Sequence, residues 1–117
     1  MEFFDRNGQA TCYSPDGENL YLWSGEPVGY FASDKVYSFT GRLLGWIHNG
    51  WLYDRSNQPA LFSPDASGGP IRPMRSVKPV KSVRSVRPVK SVRQVPHMKP
   101  MRGMSWSGCA TGLYFRQ

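Results

Sequence analysis

The chain lacks most of the features that mark a common class. Its 117 residues hold two cysteines, Cys12 and Cys109, too few for a disulfide framework and far apart in sequence. They read as free thiols of a reducing compartment, with a single Cys12–Cys109 bridge as the other option. No cluster of His, Cys, Asp or Glu has metal-ligand spacing, and no motif calls for a cofactor. No apolar run approaches the roughly 20 residues that a membrane helix needs. Met1-Glu2-Phe3-Phe4-Asp5 has no basic stretch followed by an apolar one, so no secretory signal is expected there, and the reading is a cytoplasmic protein of bacterial style. Acidic residues are missing from Ser67 onward. Residues 1–66 carry eight acidic and four basic side chains, a net of −4, whereas residues 67–117 carry eleven basic ones and none acidic, a net of +11. A segment so one-sided favours anionic partners, and the nearest is the chain's own first half.

From Ile71 to Met104 the chain repeats every three residues. One slot is apolar, as in Ile71, Met74, Val77 and Val80, through to Met98, Met101 and Met104. The next is basic: Arg72, Arg75, Lys78, Lys81, Arg84, Arg87, Lys90, Arg93, Lys99 and Arg102, interrupted at Pro96. The third is mostly Pro, Ser or another small or polar residue, with His97 the exception. An α-helix turns every 3.6 residues and a strand alternates every two, so neither gives this pattern a constant face. The prolines exclude a helix on their own account. Collagen is excluded for want of glycine at every third place. Polyproline II has three residues per turn and puts the three slots on three edges, with a reach on the order of 100 Å if fully extended. A disordered linker shares this composition. Against a slack linker stands the unbroken apolar slot, which suggests an apolar edge docked on the chain's own domain or on a neighbouring copy.

Before the arm, four units recur with a period of 16 to 17 residues. They open on Phe4, Tyr21, Tyr37 and Tyr53, and four residues later comes Gly8, Gly25, Gly41 or Asn57. Gly and Asn tolerate the positive φ that tight hairpin turns require, so these four positions are turn tips. Aromatic and β-branched segments flank them as strands should. Pro27 and Pro59 fall at strand starts, where a missing donor is tolerated. The expectation is an all-β domain of four β-hairpins around a pseudo-fourfold axis, pooling its aromatics into one core. About 60 residues make a marginal core, which the valine edge of the arm is expected to complete.

The four units of Tyr-x-x-x-Gly type from Phe4 to Phe62 (Phe4 opening the first), the Gly68-Gly69-Pro70 junction, the Arg-Pro/Ser-Val arm and the Ser105-Trp106-Ser107 ending together resemble the four-fold beta flower domain of small bacterial proteins. The resemblance spans most of the chain and departs mildly where Asn57 replaces the fourth turn glycine. It implies a fold, with four hairpins as petals, and brings neither an activity nor site residues with it.

The division expected is a four-hairpin domain at 1–66, a Gly-Gly-Pro junction at 67–70, an extended polyproline-II-like basic arm at 71–104 and an aromatic segment at 105–117. No catalytic constellation emerges. Asp5-Arg6 and Asp54-Arg55 recur at equivalent places and read as turn chemistry rather than as an acid–base pair. His48 and His97 have no partner set, and Cys12 has no activating neighbour. The functional reading is a non-enzymatic scaffold or binding module whose arm docks on its own acidic domain or on another subunit, or on an acidic protein surface. The alternative is a sequence-non-specific binder of nucleic acid or another polyanion, with the ten arm cations as the anion-binding residues.

Overall fold

The computed structural model of the chain describes residues 1–95 and 98–117. Pro96 and His97, the second read above as an ordinary surface histidine, lie outside the described residues. Eight strands form: β1 (Glu2–Phe4), β2 (Ala10–Tyr13), β3 (Asn19–Leu22), β4 (Pro27–Ala32), β5 (Lys35–Tyr37), β6 (Leu43–His48), β7 (Trp51–Tyr53) and β8 (Pro59–Phe62). A short 3-10 helix follows at Gly112–Arg116. Each strand pairs antiparallel with the next, and β8 returns to β1 through Phe4 and Phe62, which closes the barrel. Closure pairs each of the described strands on both sides, so none of them is left as an edge to template aggregation. The all-β, four-hairpin expectation holds.

The hairpins are β1–β2, β3–β4, β5–β6 and β7–β8. Their tips are the four expected residues, with φ of 80° at Gly8, 91° at Gly25, 90° at Gly41 and 59° at Asn57. In each, the tip amide donates to the carbonyl three residues back, at 2.9–3.0 Å. A register shift recurs just before the aromatic that opens each unit, at Phe3/Phe4, Leu20/Tyr21, Val36/Tyr37 and Leu52/Tyr53. Such bulges bend and twist a strand, here at the same point of every petal.

Strand alternation splits the barrel into an inside and an outside. Phe3, Cys12, Leu20, Val36, Leu44, Leu52 and Leu61 form the inner core. The opening aromatics sit one residue on and take the opposite face, gathering in three separate clusters. Phe4, Tyr53, Phe62 and Trp51 form one, Tyr30, Tyr37, Phe39 and Trp46 a second, and Tyr13, Tyr21 and Trp23 the third. The expected single aromatic core is therefore corrected. The period of two sends residues 3 and 4 of a strand to opposite faces, so the inner core is chiefly aliphatic and the aromatics form an outer shell, also buried.

What completes the inner core is the C-terminal helix and not the arm's valines. Tyr114 is fully buried among the inner residues, and its hydroxyl donates to the Tyr53 carbonyl at 2.9 Å. Gln117 Nε2 donates to the Leu44 carbonyl at 2.7 Å, and the Thr111 hydroxyl accepts from the Leu113 amide. The barrel thus carries its own plug.

Candidate functional site

Between the barrel and its plug runs the basic arm, and its contacts repeat every nine residues, one repeat per petal. The amides of Ser76, Ser85, Gln94 and Gly103 donate to the carbonyls of the four tips, Gly8, Gly25, Gly41 and Asn57, at 2.7–2.9 Å. Ser82 and Ser91 donate likewise to Trp23 and Phe39, both at 2.9 Å. In the other direction, Trp23 Nε1 donates to the Pro79 carbonyl at 2.8 Å. Backbone of the arm presses on the glycines themselves. A Cβ on Gly8, Gly25 or Gly41 would lie 2.0–2.2 Å from the carbonyl oxygen of Met74, Val83 or Val92. At the fourth tip, Asn57 answers differently, its Nδ2 donating to the Pro100 carbonyl at 2.8 Å.

The basic slot follows the same beat. Arg75, Arg84, Arg93 and Arg102 lie over Phe4, Tyr21, Tyr37 and Tyr53, each 5.5–5.6 Å from the ring centre. Lys81, Lys90 and Lys99 lie over Tyr13, Tyr30 and Trp46 at 4.6, 4.3 and 5.6 Å. Lys78 and Lys81 both reach Glu2, at 2.8 and 2.7 Å. Arg87 reaches Asp16 at 3.7 Å, Lys90 Glu18 at 3.3 Å and Lys99 Asp34 at 3.7 Å. Arg72 Nη1 donates to the Gly68 carbonyl at 3.2 Å. Each of the ten candidate anion-binding residues therefore has a partner within its own chain. Glu2 is held below the ordinary carboxylate range by the hydrogen bonds from Lys78 and Lys81. Asp16 is lowered chiefly by the backbone and side-chain amides of Asn19, so Arg87 is not what sets its charge.

The slot assignment differs from expectation. From Ile71 to Met101 the apolar side chains are 85–97% exposed, so the apolar edge faces water and the basic edge faces the barrel. The physical reason lies in side-chain length. A Lys or Arg stem covers an aromatic ring with its methylenes and keeps its charge at the surface, while adding a cation–π attraction of about 0.5–1 kcal/mol. A valine offers only the first of these.

A nine-residue signal was present in the sequence beneath the triplet. Arginine stands at 75, 84, 93 and 102, lysine at 81, 90 and 99, and proline at 79 and 88, where no amide is asked to donate. The fourfold count of the arginines matches the fourfold count of the hairpin units.

Other polar groups offer less. Asp5 and Asp54 cap their turns, each Oδ1 accepting two backbone amides at 2.8–3.0 Å. Ser107 Oγ donates to Asp54 Oδ2, and Cys109 N donates to Ser107 Oγ at 3.0 Å, which pins the C-terminal segment to the fourth tip. Burial pushes the Cys109 thiol up, toward its protonated form. His48 is held below its ordinary value by burial and by the Arg102 and Lys99 charges. Among the described residues no group of three or more His, Cys, Asp or Glu could hold a metal.

Residues 1–115 match the family described as 4-fold beta flower protein. No curated protein and no solved structure matches the chain.

Proposed function

The chain belongs to the 4-fold beta flower protein family, and from that premise we propose that it is a non-catalytic scaffold or binding module whose basic arm is a strap on its own barrel. The observation that carries this reading is the nine-residue register, in which arm amides, arm carbonyls and arm cations meet the four petals in turn. A strap of this kind covers the outer aromatic shell, which would otherwise be an exposed apolar surface. The division into barrel, Gly-Gly-Pro junction, arm and aromatic segment follows from it, with the junction and Trp106 both resting on Trp51. Cytoplasmic placement goes with free thiols at Cys12 and Cys109.

Limited trypsin digestion of the full chain is the test. The six arm bonds open to trypsin, those after Arg75, Lys81, Arg84, Lys90, Arg93 and Arg102 and not before a proline, are cut slowly if it is a strap, at the pace of global unfolding. Rapid cutting throughout 75–102 at neutral pH overturns the reading.

One observation favours the polyanion alternative. The ten arm cations meet four carboxylates, those of Glu2, Asp16, Glu18 and Asp34, and the aromatic rings neutralise nothing. A surplus of positive charge therefore remains on the surface. Fluorescence anisotropy with labelled single-stranded and duplex nucleic acid separates the two readings. A displayed phosphate-tracking arm loses about a thousandfold in affinity between roughly 50 and 200 mM salt. A strapped arm binds weakly at both.

A further inference from the structure

The outward edge of the arm serves no purpose in holding the barrel together, yet it is apolar at every described repeat. Isolated exposed apolar residues are ordinary, but a row of them along one element is not. The row is also graded. Its middle is valine, while its two ends carry the longer side chains Ile71 and Met74, and Met98, Met101 and Met104. Chain order separates these ends by two dozen residues, and the closed barrel brings them together. Met74 lies against the first tip, and Pro100 and Gly103 lie against the fourth. First and fourth petals adjoin through the β1–β8 pairing. Both ends of the arm converge on one tryptophan: Gly69 packs against the Trp51 ring, and Trp106 stacks edge-on against it at 5.3 Å. Ile71 and Met104 stand two residues from these anchors. The result is a seam of long, flexible apolar side chains, four of them at least 90% exposed and Met104 67% exposed.

Positive charge borders this seam. Arg72, Arg75, Lys99 and Arg102 belong to the same sector, and the Lys99 side chain keeps 34% of its surface in water while reaching Asp34. We infer that the Ile/Met seam is a contact surface for an anionic lipid bilayer, on which the protein rests without crossing it. This deepens the proposed function, and rests on it, because only a strapped arm presents the apolar edge outward as one row.

Three observations select the occupant. A second copy would set two surplus-positive belts face to face, which repels. Nucleic acid would use the cations and leave the apolar row unmatched, and the stacking platforms that single strands require are buried beneath the arm. A folded protein partner grips through close-packed, shape-matched contacts, whereas four of these five side chains stand at least 90% exposed and flexible, without a packed surface around them to match. A fluid acyl layer accepts protruding methionines without shape complementarity, and its anionic headgroups take the flanking cations. No helix among the described residues is long and apolar enough to span a bilayer, so the association is with the surface.

The experiment is vesicle co-sedimentation of the full chain at about 0.1 M salt, with phosphatidylglycerol–phosphatidylcholine vesicles and with phosphatidylcholine alone. It is repeated with a variant carrying Ile71→Ser, Met74→Ser, Met98→Ser, Met101→Ser and Met104→Ser. These side chains are exposed, so circular dichroism and melting are expected to be unchanged. The expected result is binding to anionic vesicles that falls at least about tenfold in the variant, and about a hundredfold on neutral vesicles. Absence of binding to anionic vesicles overturns the inference. So does equal binding by the variant, which would leave charge alone at work. So does seam-dependent capture of an acidic amphipathic peptide without vesicle binding, which would make the partner a polypeptide. Trypsin digestion of the same samples keeps the premise separate. A protected arm with no vesicle binding removes the lipid surface and spares the strap, whereas a rapidly cut arm removes the strap itself.

Discussion

At the scale of single residues, the tip glycines do two things at once. Gly25 needs its positive φ for the turn, and it needs an absent Cβ because the Val83 carbonyl occupies that place, 2.1 Å away. Gly17 has φ of 75° and open space around it, so it isolates the first requirement. Gly17→Ala is expected to cost about 1 kcal/mol for the left-handed backbone alone. Gly25→Ala should cost about 2–3 kcal/mol, since it also forces the arm off and breaks the Ser85–Gly25 hydrogen bond. Urea unfolding measures both, and tryptic cutting at Arg84 should accelerate only in Gly25→Ala. The plug gives a second prediction at this scale. Tyr114→Phe keeps the packing and removes the hydroxyl that donates to the Tyr53 carbonyl, inside a fully buried site. A loss of about 1–2 kcal/mol in the same unfolding measurement is expected.

At the scale of elements, hairpin and arm are matched periodicities. The hairpins recur every 16 to 17 residues because two short strands and two turns need that many. The arm recurs every nine because it passes each petal once. Their attachment mixes backbone hydrogen bonds, which salt does not touch, with exposed ion pairs, which it screens. Acid should loosen it. Glu2 has a folded-state pKa below its unfolded value, so its contribution is fully present above the ordinary glutamate range. That contribution is lost as pH falls through the lowered value. Hydrogen exchange of the Ser76 and Ser85 amides should therefore stay slow from neutral pH down to the ordinary carboxylate range, relative to intrinsic rates, and speed up below it. Glu2→Gln should remove most of that acid sensitivity near Ser76. Unchanged protection through the acid range would show that the ion pairs at Glu2 contribute nothing to the strap.

At the scale of the whole molecule, one chain builds a barrel and plugs it, and the proposed strap is its belt. The shell of Tyr13, Trp23, Tyr30, Trp46 and Trp51 is buried, and cations of the arm lie over Tyr13, Trp23, Tyr30 and Trp46. Tyr114 fills the barrel from the other end of the sequence. A chain ending at Ser67 keeps every strand and loses both coverings. It is expected to unfold without a cooperative transition and to bind a hydrophobic dye, as small cores stripped of packing do. A sharp melt with no dye binding would show that the barrel stands alone.

Much of this architecture is legible in the sequence. Asn7-Gly8, Ser24-Gly25, Thr40-Gly41 and Ser56-Asn57 marked the four tips, and Pro27 and Pro59 marked the starts of β4 and β8, because positive φ and missing donors are local requirements with local signatures. Asp5 and Asp54 were readable as turn caps for the same reason. The inner and outer faces were harder. A run such as Glu2-Phe3-Phe4 places an aromatic on each side, and only closure of the sheet decides which side is the core.

By itself, then, the sequence determined the hairpins and the turn tips, since backbone sterics act within a few residues of each position, and it set out the three-residue period of the arm. Only the tertiary structure decided which edge faces inward. The apolar and basic slots share one period, and nothing in an isolated extended chain turns either edge inward. The choice belongs to the surface they meet, and that surface, an outer shell of aromatic rings bordered by carboxylates and by glycine tips open to a carbonyl, exists only once eight distant strands have closed into one barrel.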